Sequence, residues 1–153
     1  MIIAIDGPSA SGKSTTAKGV SKVLSILYID TGAMYRALTY GFVKEMIDLN
    51  NSREIKKYLS NVDINFNSKN EICLNNHSLS LEIRSKNITS KVSSVSAISS
   101  VRDKMVKLQR KIAEGKSCIL EGRDIGTVVF PQAKYKFFMS AELIDRAERR
   151  MLD

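Results

Sequence analysis

The 153-residue sequence has no tryptophan, one histidine, two cysteines and two prolines, and its eight glycines all fall between positions 7 and 41 or between 115 and 126. Each shortage excludes something. Five Phe and five Tyr without Trp leave little material for a base-stacking platform on single-stranded nucleic acid. Cys73 and Cys118 are far apart, with no Cys or His at ligand spacing, so they read as reduced, small apolar residues rather than as a disulfide or a zinc site. His77 lies in the turn-like run Asn75-Asn76-His77-Ser78 and reads as a surface residue, not a catalyst. No stretch of roughly 18 apolar residues, the length of a membrane-spanning helix, is present. The opening MIIAIDGPSASGKS has neither the basic start nor the small-residue cleavage site of a secretory signal. These features predict a cytoplasmic protein without a membrane partner.

What is present is a basic, core-forming composition: 24 Lys and Arg against 16 Asp and Glu, a formal charge of +8, and 43% hydrophobic residues. That is the composition of a globular domain with a sizeable core. The positive charge is spread as singles and pairs among acids, with no polybasic run. Small phosphorylated ligands explain it better than nucleic acid or an anionic membrane, and the expected state is a monomer.

Along the chain, Ile2-Ile3-Ala4-Ile5 reads as a buried parallel strand ended by Asp6-Gly7-Pro8. Ala17, Val20 and Leu24 recur at helical spacing after Lys13, and Leu27-Tyr28-Ile29 supplies a second strand, completing a βαβ opening. Thr31 is placed to cap a long helix whose apolar stripe is Met34, Leu38, Phe42, Val43, Met46 and Ile47. Three alternating segments, 62–66, 72–74 and 79–83, predict a small antiparallel meander, followed by helical segments around 86–98 and 101–114. Cys118-Ile119-Leu120 and 135–139 read as core strands, and 141–153 as a charged helix. The predicted organisation is an α/β core of residues 1–59 and 101–153 carrying an insertion at 60–100.

Gly7-Pro8-Ser9-Ala10-Ser11-Gly12-Lys13-Ser14 matches G-x-x-x-x-G-K-[ST], placed between a strand and a helix as its mechanism requires. The glycines let backbone N–H groups converge on phosphate oxygens, the helix N-terminus adds partial positive charge, Lys13 reaches the β- and γ-phosphates, and the Ser14 hydroxyl can ligate Mg²⁺. Asp30-Thr31-Gly32-Ala33-Met34-Tyr35-Arg36 and Glu121-Gly122-Arg123-Asp124-Ile125-Gly126 each follow a predicted strand, so a parallel sheet would deliver them to the same carboxyl edge. Arginine forks there suit a second phosphorylated substrate. Glu121 reads either as a group orienting Arg123 or as a strand-end charge.

The segments GPSASGKS, DTGAMYR, IRS around Arg84, Val101-Arg102, EGRDIGTVVFP and RAERRML, in this order and spacing, resemble bacterial cytidylate kinases over essentially the whole chain. The resemblance implies a three-layer P-loop kinase core with a parallel sheet, a small acceptor-binding insertion and the start of a lid. It implies ATP and Mg²⁺ as cofactors, held by Gly7, Pro8, Ser9, Ala10, Ser11, Gly12, Lys13, Ser14 and Thr15, with Ser14 on the metal. Arg146, Arg149 and Arg150 resemble the lid's start, with Arg149 toward the ATP phosphates. Arg36 and Arg123 would hold the α-phosphate of CMP or dCMP, beside Thr31 and Tyr35. Ser93, Arg102 and Asp124 would read the cytosine edge, and Asp30 would order the magnesium shell. Lys13, Arg36, Arg123 and Asp30 are thus the implied catalytic set. Relatives continue beyond the position matching Asp153, so the sequence is expected to be either a fragment or a shortened gene product, and the competing reading is a non-catalytic or weakly active nucleotide-binding remnant. A nucleic-acid-binding module, suggested only by charge, ranks third.

Overall fold

The computed structural model describes residues 1–152, with the side chains of Arg150 and Leu152 outside the described residues, as is Asp153. The chain divides into two compact units, residues 1–31 with 113–153, and residues 32–112.

The first unit is built on a parallel sheet. Strands β1 (Ile2–Asp6), β2 (Leu27–Asp30), β6 (Cys118–Gly122) and β7 (Tyr135–Phe138) lie in the order β2-β6-β1-β7. Asp6 is in register with Gly122 on one side and Phe138 on the other, and Asp30 with Glu121, so the strands finish together at one carboxyl edge. The isoleucine-rich β1, buried from Ile3 to Asp6, fits a strand enclosed on both faces. Helix α1 (Lys13–Leu24) covers one face, where Ile3, Ile5, Ala17, Tyr28 and Ile119 form a buried cluster. The period-2 pleat sends Ala4, Ile29 and Leu120, also buried, to the opposite face. This is the α/β architecture the sequence predicts.

Two details of the first unit differ from expectation. Leu24 does not continue the buried stripe of α1: it is half exposed in the last turn, while Ala17 is fully buried. β7 is a strand of this sheet, as predicted, but it lies at an edge beside β1 rather than in the core, and all four of its residues are exposed.

The second unit holds most of α2 (Thr31–Lys44), together with α3 (Ser52–Asn61), a small sheet of β3 (Ile64–Phe66), β4 (Ile72–Leu74) and β5 (His77–Ser78), then α4 (Lys86–Ala97) and nearly all of α5 (Ser99–Ala113). The predicted insertion at 60–100 lies inside this unit, whose limits are wider. The α2 stripe buries Met34, Leu38 and Phe42, but the helix ends at Lys44, and Met46 is exposed with a left-handed backbone (φ 53°). Thr31 is not a cap: it is the first residue of α2, and its hydroxyl is engaged elsewhere, as described below. The unforeseen α3 starts on Asn51, whose side chain accepts the Glu54 N–H at 3.2 Å, and Tyr58 on this helix meets Phe42 edge to face at 5.2 Å.

The meander is antiparallel as predicted, but its third strand is misplaced. His77 and Ser78 pair with β4 and the Leu79 N–H donates to the Ile72 carbonyl at 2.8 Å, while Glu82–Arg84 closes a single 3₁₀ turn that buries Ile83 and leaves Leu81 exposed. His77 is exposed, as expected, although in β5 rather than in a turn.

Candidate functional site

At the carboxyl end of β1 the chain turns sharply into the glycine-rich loop. Gly7 has φ 148°, and a Cβ there would lie 2.1 Å from the Met139 carbonyl oxygen, so no side chain fits. Gly12, immediately before α1, has φ 92°, a left-handed conformation that glycine adopts without strain. Between them Ala10 is also left-handed, at φ 60°. Successive N–H groups in such alternating conformations, ending on a helix N-terminus, form a concave anion-binding surface.

Lys13 is buried against this loop. Its Nζ donates to the Pro8 carbonyl at 2.6 Å and lies 3.4 Å from the Ser11 hydroxyl. Burial pulls its pKa down to about 8; Arg123 pushes the same way, Glu121 and Asp6 oppose, and Arg146 adds a smaller downward push. The ammonium is therefore held where further positive charge is unwelcome and anionic charge is favoured.

Ser14, in the first turn of α1, donates its hydroxyl to Glu121 Oε2 at 2.9 Å, and the Tyr28 hydroxyl donates to Glu121 Oε1. Glu121 is only 5% exposed. Burial pushes the Tyr28 phenol well above its usual range, with the Asp30 and Glu121 charges adding to the effect. Thr31 Oγ1 donates to the Glu121 carbonyl at 2.6 Å, tying the ends of β2 and β6 together. Asp30, half-buried, is the β2 residue in register with Glu121.

A second carboxylate shapes the loop after β6. Asp6 Oδ1 accepts the Ile125 N–H at 2.7 Å and Oδ2 the Gly126 N–H at 2.8 Å. These bonds anchor the wide turn Ile125–Val129, closed by the Phe130 N–H on the Ile125 carbonyl. Arg123 and Asp124 precede that turn, Arg123 exposed with Nη1 3.3 Å from the Gly122 carbonyl, and Asp124 half-buried. Helix α6 (Leu143–Leu152) brings two arginines to the loop: Arg146 Nε donates to the Ser9 carbonyl at 2.9 Å and Arg149 Nη1 to the Ala10 carbonyl at 3.1 Å. The Arg150 side chain lies outside the described residues.

Of the sequence-predicted residues, Gly7 to Thr15, Asp30, Thr31, Arg123, Asp124 and Arg149 belong to the first unit. Tyr35 and Arg36, half-buried on α2, Ser93, exposed on α4, and Arg102, half-buried on α5, belong to the second. Asp6 lies outside the sequence motifs that name functional residues, and Glu121 carries two readings in the sequence. The available signal was positional: both are acids at the ends of adjacent parallel strands flanking the phosphate loop.

The oxygen donors around Ser14 suit a hard divalent cation. Its hydroxyl sits on a buried carboxylate, and among the described residues no group of three or more His, Cys, Asp or Glu forms a protein cage. A Mg²⁺ sharing protein oxygens with nucleotide phosphates fits that donor set.

Comparison with known proteins gives concordant results. Residues 3–153 match the family described as cytidylate kinase. The chain is 50% identical over 150 residues to the cytidylate kinase of Clostridioides difficile strain 630, covering 98% of this chain and 69% of that protein. It is 46% identical over 153 residues to the cytidylate kinase of Halalkalibacterium halodurans, covering 98% and 69%. It is also 47% identical over 156 residues to a bifunctional pantoate ligase/cytidylate kinase of Prochlorococcus marinus strain MIT 9312, covering 99% of this chain and 31% of that protein. The chain thus spans about two thirds of these single-function relatives and under one third of the bifunctional one.

Proposed function

Because the chain belongs to the cytidylate kinase family, we propose that it transfers the γ-phosphoryl group of ATP to CMP or dCMP, giving CDP or dCDP and ADP. The observation that carries this reading is the phosphate loop, with Lys13 and Ser14 presented beside the buried Glu121 at the carboxyl edge of a parallel sheet.

In this reading the loop N–H groups from Gly7 to Thr15 cradle the ATP phosphates and the Lys13 ammonium spans their β- and γ-oxygens. Ser14, with Asp30 nearby, would hold Mg²⁺, which when bound neutralises charge on the transferring group. Arg149, now on the Ala10 carbonyl, exchanges that neutral acceptor for a phosphate oxygen, a stronger charge-assisted bond. Arg36 and Arg123 hold the acceptor's α-phosphate with help from Thr31 and Tyr35, and Ser93, Arg102 and Asp124 read the cytosine edge, so that residues 60–100 form part of the acceptor-binding side. The attacking oxygen is already anionic, so no general base is required; positioning and electrostatic stabilisation carry the rate. The expected setting is the cytoplasm, and no helix among the described residues is long and apolar enough to cross a membrane.

A coupled ADP-release assay across CMP, dCMP, UMP and AMP tests the proposal. Turnover should be highest with CMP or dCMP and abolished in Lys13→Ala. Best turnover with AMP would overturn the base assignment, and ATP binding without acceptor-dependent ADP release would establish the non-catalytic alternative.

A further inference from the structure

The Tyr28 hydroxyl has no place in the motif-based account. The Tyr28 ring is fixed in the cluster of Ile3, Ile5, Ala17 and Ile119, with Lys18 Nζ 5.7 Å from the ring centroid. A phenylalanine ring would fill that space equally well, so packing alone does not explain the hydroxyl. Its position follows from sheet register. Tyr28 pairs with Ile119, and Glu121, two residues further along β6, projects from the same face toward α1. The phenol therefore meets Glu121 diagonally across adjacent strands, while Ser14 approaches that carboxylate from the first turn of α1.

We propose that Tyr28 is a positioning residue: by holding Oε1 of Glu121 it fixes Oε2 as the acceptor of the Ser14 proton, leaving the Ser14 oxygen lone pairs directed at the divalent cation carried by the bound nucleotide. The inference rests on the reading of Ser14 as a metal ligand. A carboxylate with two oxygens can rotate, and a Glu121 free to turn would let the Ser14 hydroxyl rotate with it. With one oxygen occupied by a phenol on a rigid ring, the hydroxyl has one preferred orientation. Partners that orient a metal ligand in this way typically change metal affinity by about 10- to 100-fold when removed.

The test measures Mn²⁺ affinity in the ATP complex by electron paramagnetic resonance, and metal-free ATP affinity in EDTA by calorimetry, for wild type, Tyr28→Phe, Ser14→Ala and the double variant. The expected result is a roughly 10-fold loss of Mn²⁺ affinity in Tyr28→Phe, with metal-free ATP binding unchanged and no further loss when Tyr28→Phe is added to Ser14→Ala. Unchanged Mn²⁺ affinity, an equal loss of metal-free ATP binding, or a Tyr28→Phe effect that persists without the Ser14 hydroxyl would each overturn the proposal while leaving Ser14 as a metal ligand. A wild-type protein whose ATP binding gains nothing from Mn²⁺ would overturn the underlying reading itself. Thermal unfolding of Tyr28→Phe checks that the variant is folded, and Glu121→Gln, which keeps the side chain's shape, provides a second variant with the same expected metal-specific loss.

Discussion

Lys13 carries its charge in a place that resists it. With a pKa of about 8 in the folded chain against the ordinary lysine value of 10.5, its ammonium is destabilised by burial first and by Arg123 second. The sign for stability follows: a folded-state pKa below the unfolded one means that the unfolded chain binds more protons between about pH 8 and 10.5, so this group weakens the fold below that window and its penalty disappears as pH rises through it. A bound polyphosphate reverses the local balance and favours the ammonium. ATP binding at pH 8 should therefore take up about half a proton, falling toward zero by pH 7. Titration calorimetry in buffers of different ionisation enthalpy measures this uptake. Lys13→Arg, which stays charged throughout, should remove it, and the same uptake in that variant would assign the proton elsewhere.

At the scale of elements, the end of β1 positions the loop that follows β6. Asp6 does this by accepting two backbone N–H groups of the Ile125–Val129 turn on its two oxygens. Asp6→Ala would strand both donors in a buried position, and each charge-assisted bond of this kind contributes on the order of 1.5–3 kcal/mol. We expect roughly 3 kcal/mol of destabilisation in urea unfolding, with loss of acceptor turnover exceeding loss of ATP binding because Arg123 and Asp124 lead into that turn. Equal losses would show that Asp6 acts only on global stability. The phosphate loop was legible in the sequence because its chemistry is local: one strand, one turn and one helix start specify it. Asp6 and Glu121 were not, because their roles depend on the register of strands more than a hundred residues apart. The third meander strand failed for a related reason. Leu79, Leu81 and Ile83 alternate like a strand, but alternation records only which side is apolar, and here a 3₁₀ turn places Ile83 inward while Leu81 stays exposed. Thr31 had the right chemistry for a cap, yet the Glu121 carbonyl lay closer to hand across the sheet.

For the whole molecule, the overall charge of +8 is unevenly divided in a way the composition hides. Residues 32–112 carry 14 basic and 7 acidic side chains, whereas residues 1–31 with 113–153 carry 10 and 9. The unit with the phosphate loop is nearly neutral, and the excess lies in the unit that holds Arg36, Ser93 and Arg102. The two proposed nucleotides should then be captured differently. ATP would be held by short-range partners, the loop N–H groups and a buried Lys13, which salt screens weakly. The acceptor nucleotide would approach Arg36, Ser93 and Arg102 in a unit of net +7, whose long-range field is largely screened beyond a Debye length of about 10 Å at 0.1 M salt. Raising NaCl from about 20 to 200 mM, a range across which the screening length falls severalfold, should weaken CMP binding more steeply than metal-free ATP binding, as read by calorimetry on the same protein. Reversing the charge of two lysines outside the proposed acceptor set, Lys56→Glu and Lys57→Glu on α3, should flatten the CMP dependence without changing ATP affinity. Equal salt slopes for the two nucleotides, or an unaltered CMP slope in the double variant, would show that contact charges rather than the field of this unit govern acceptor capture.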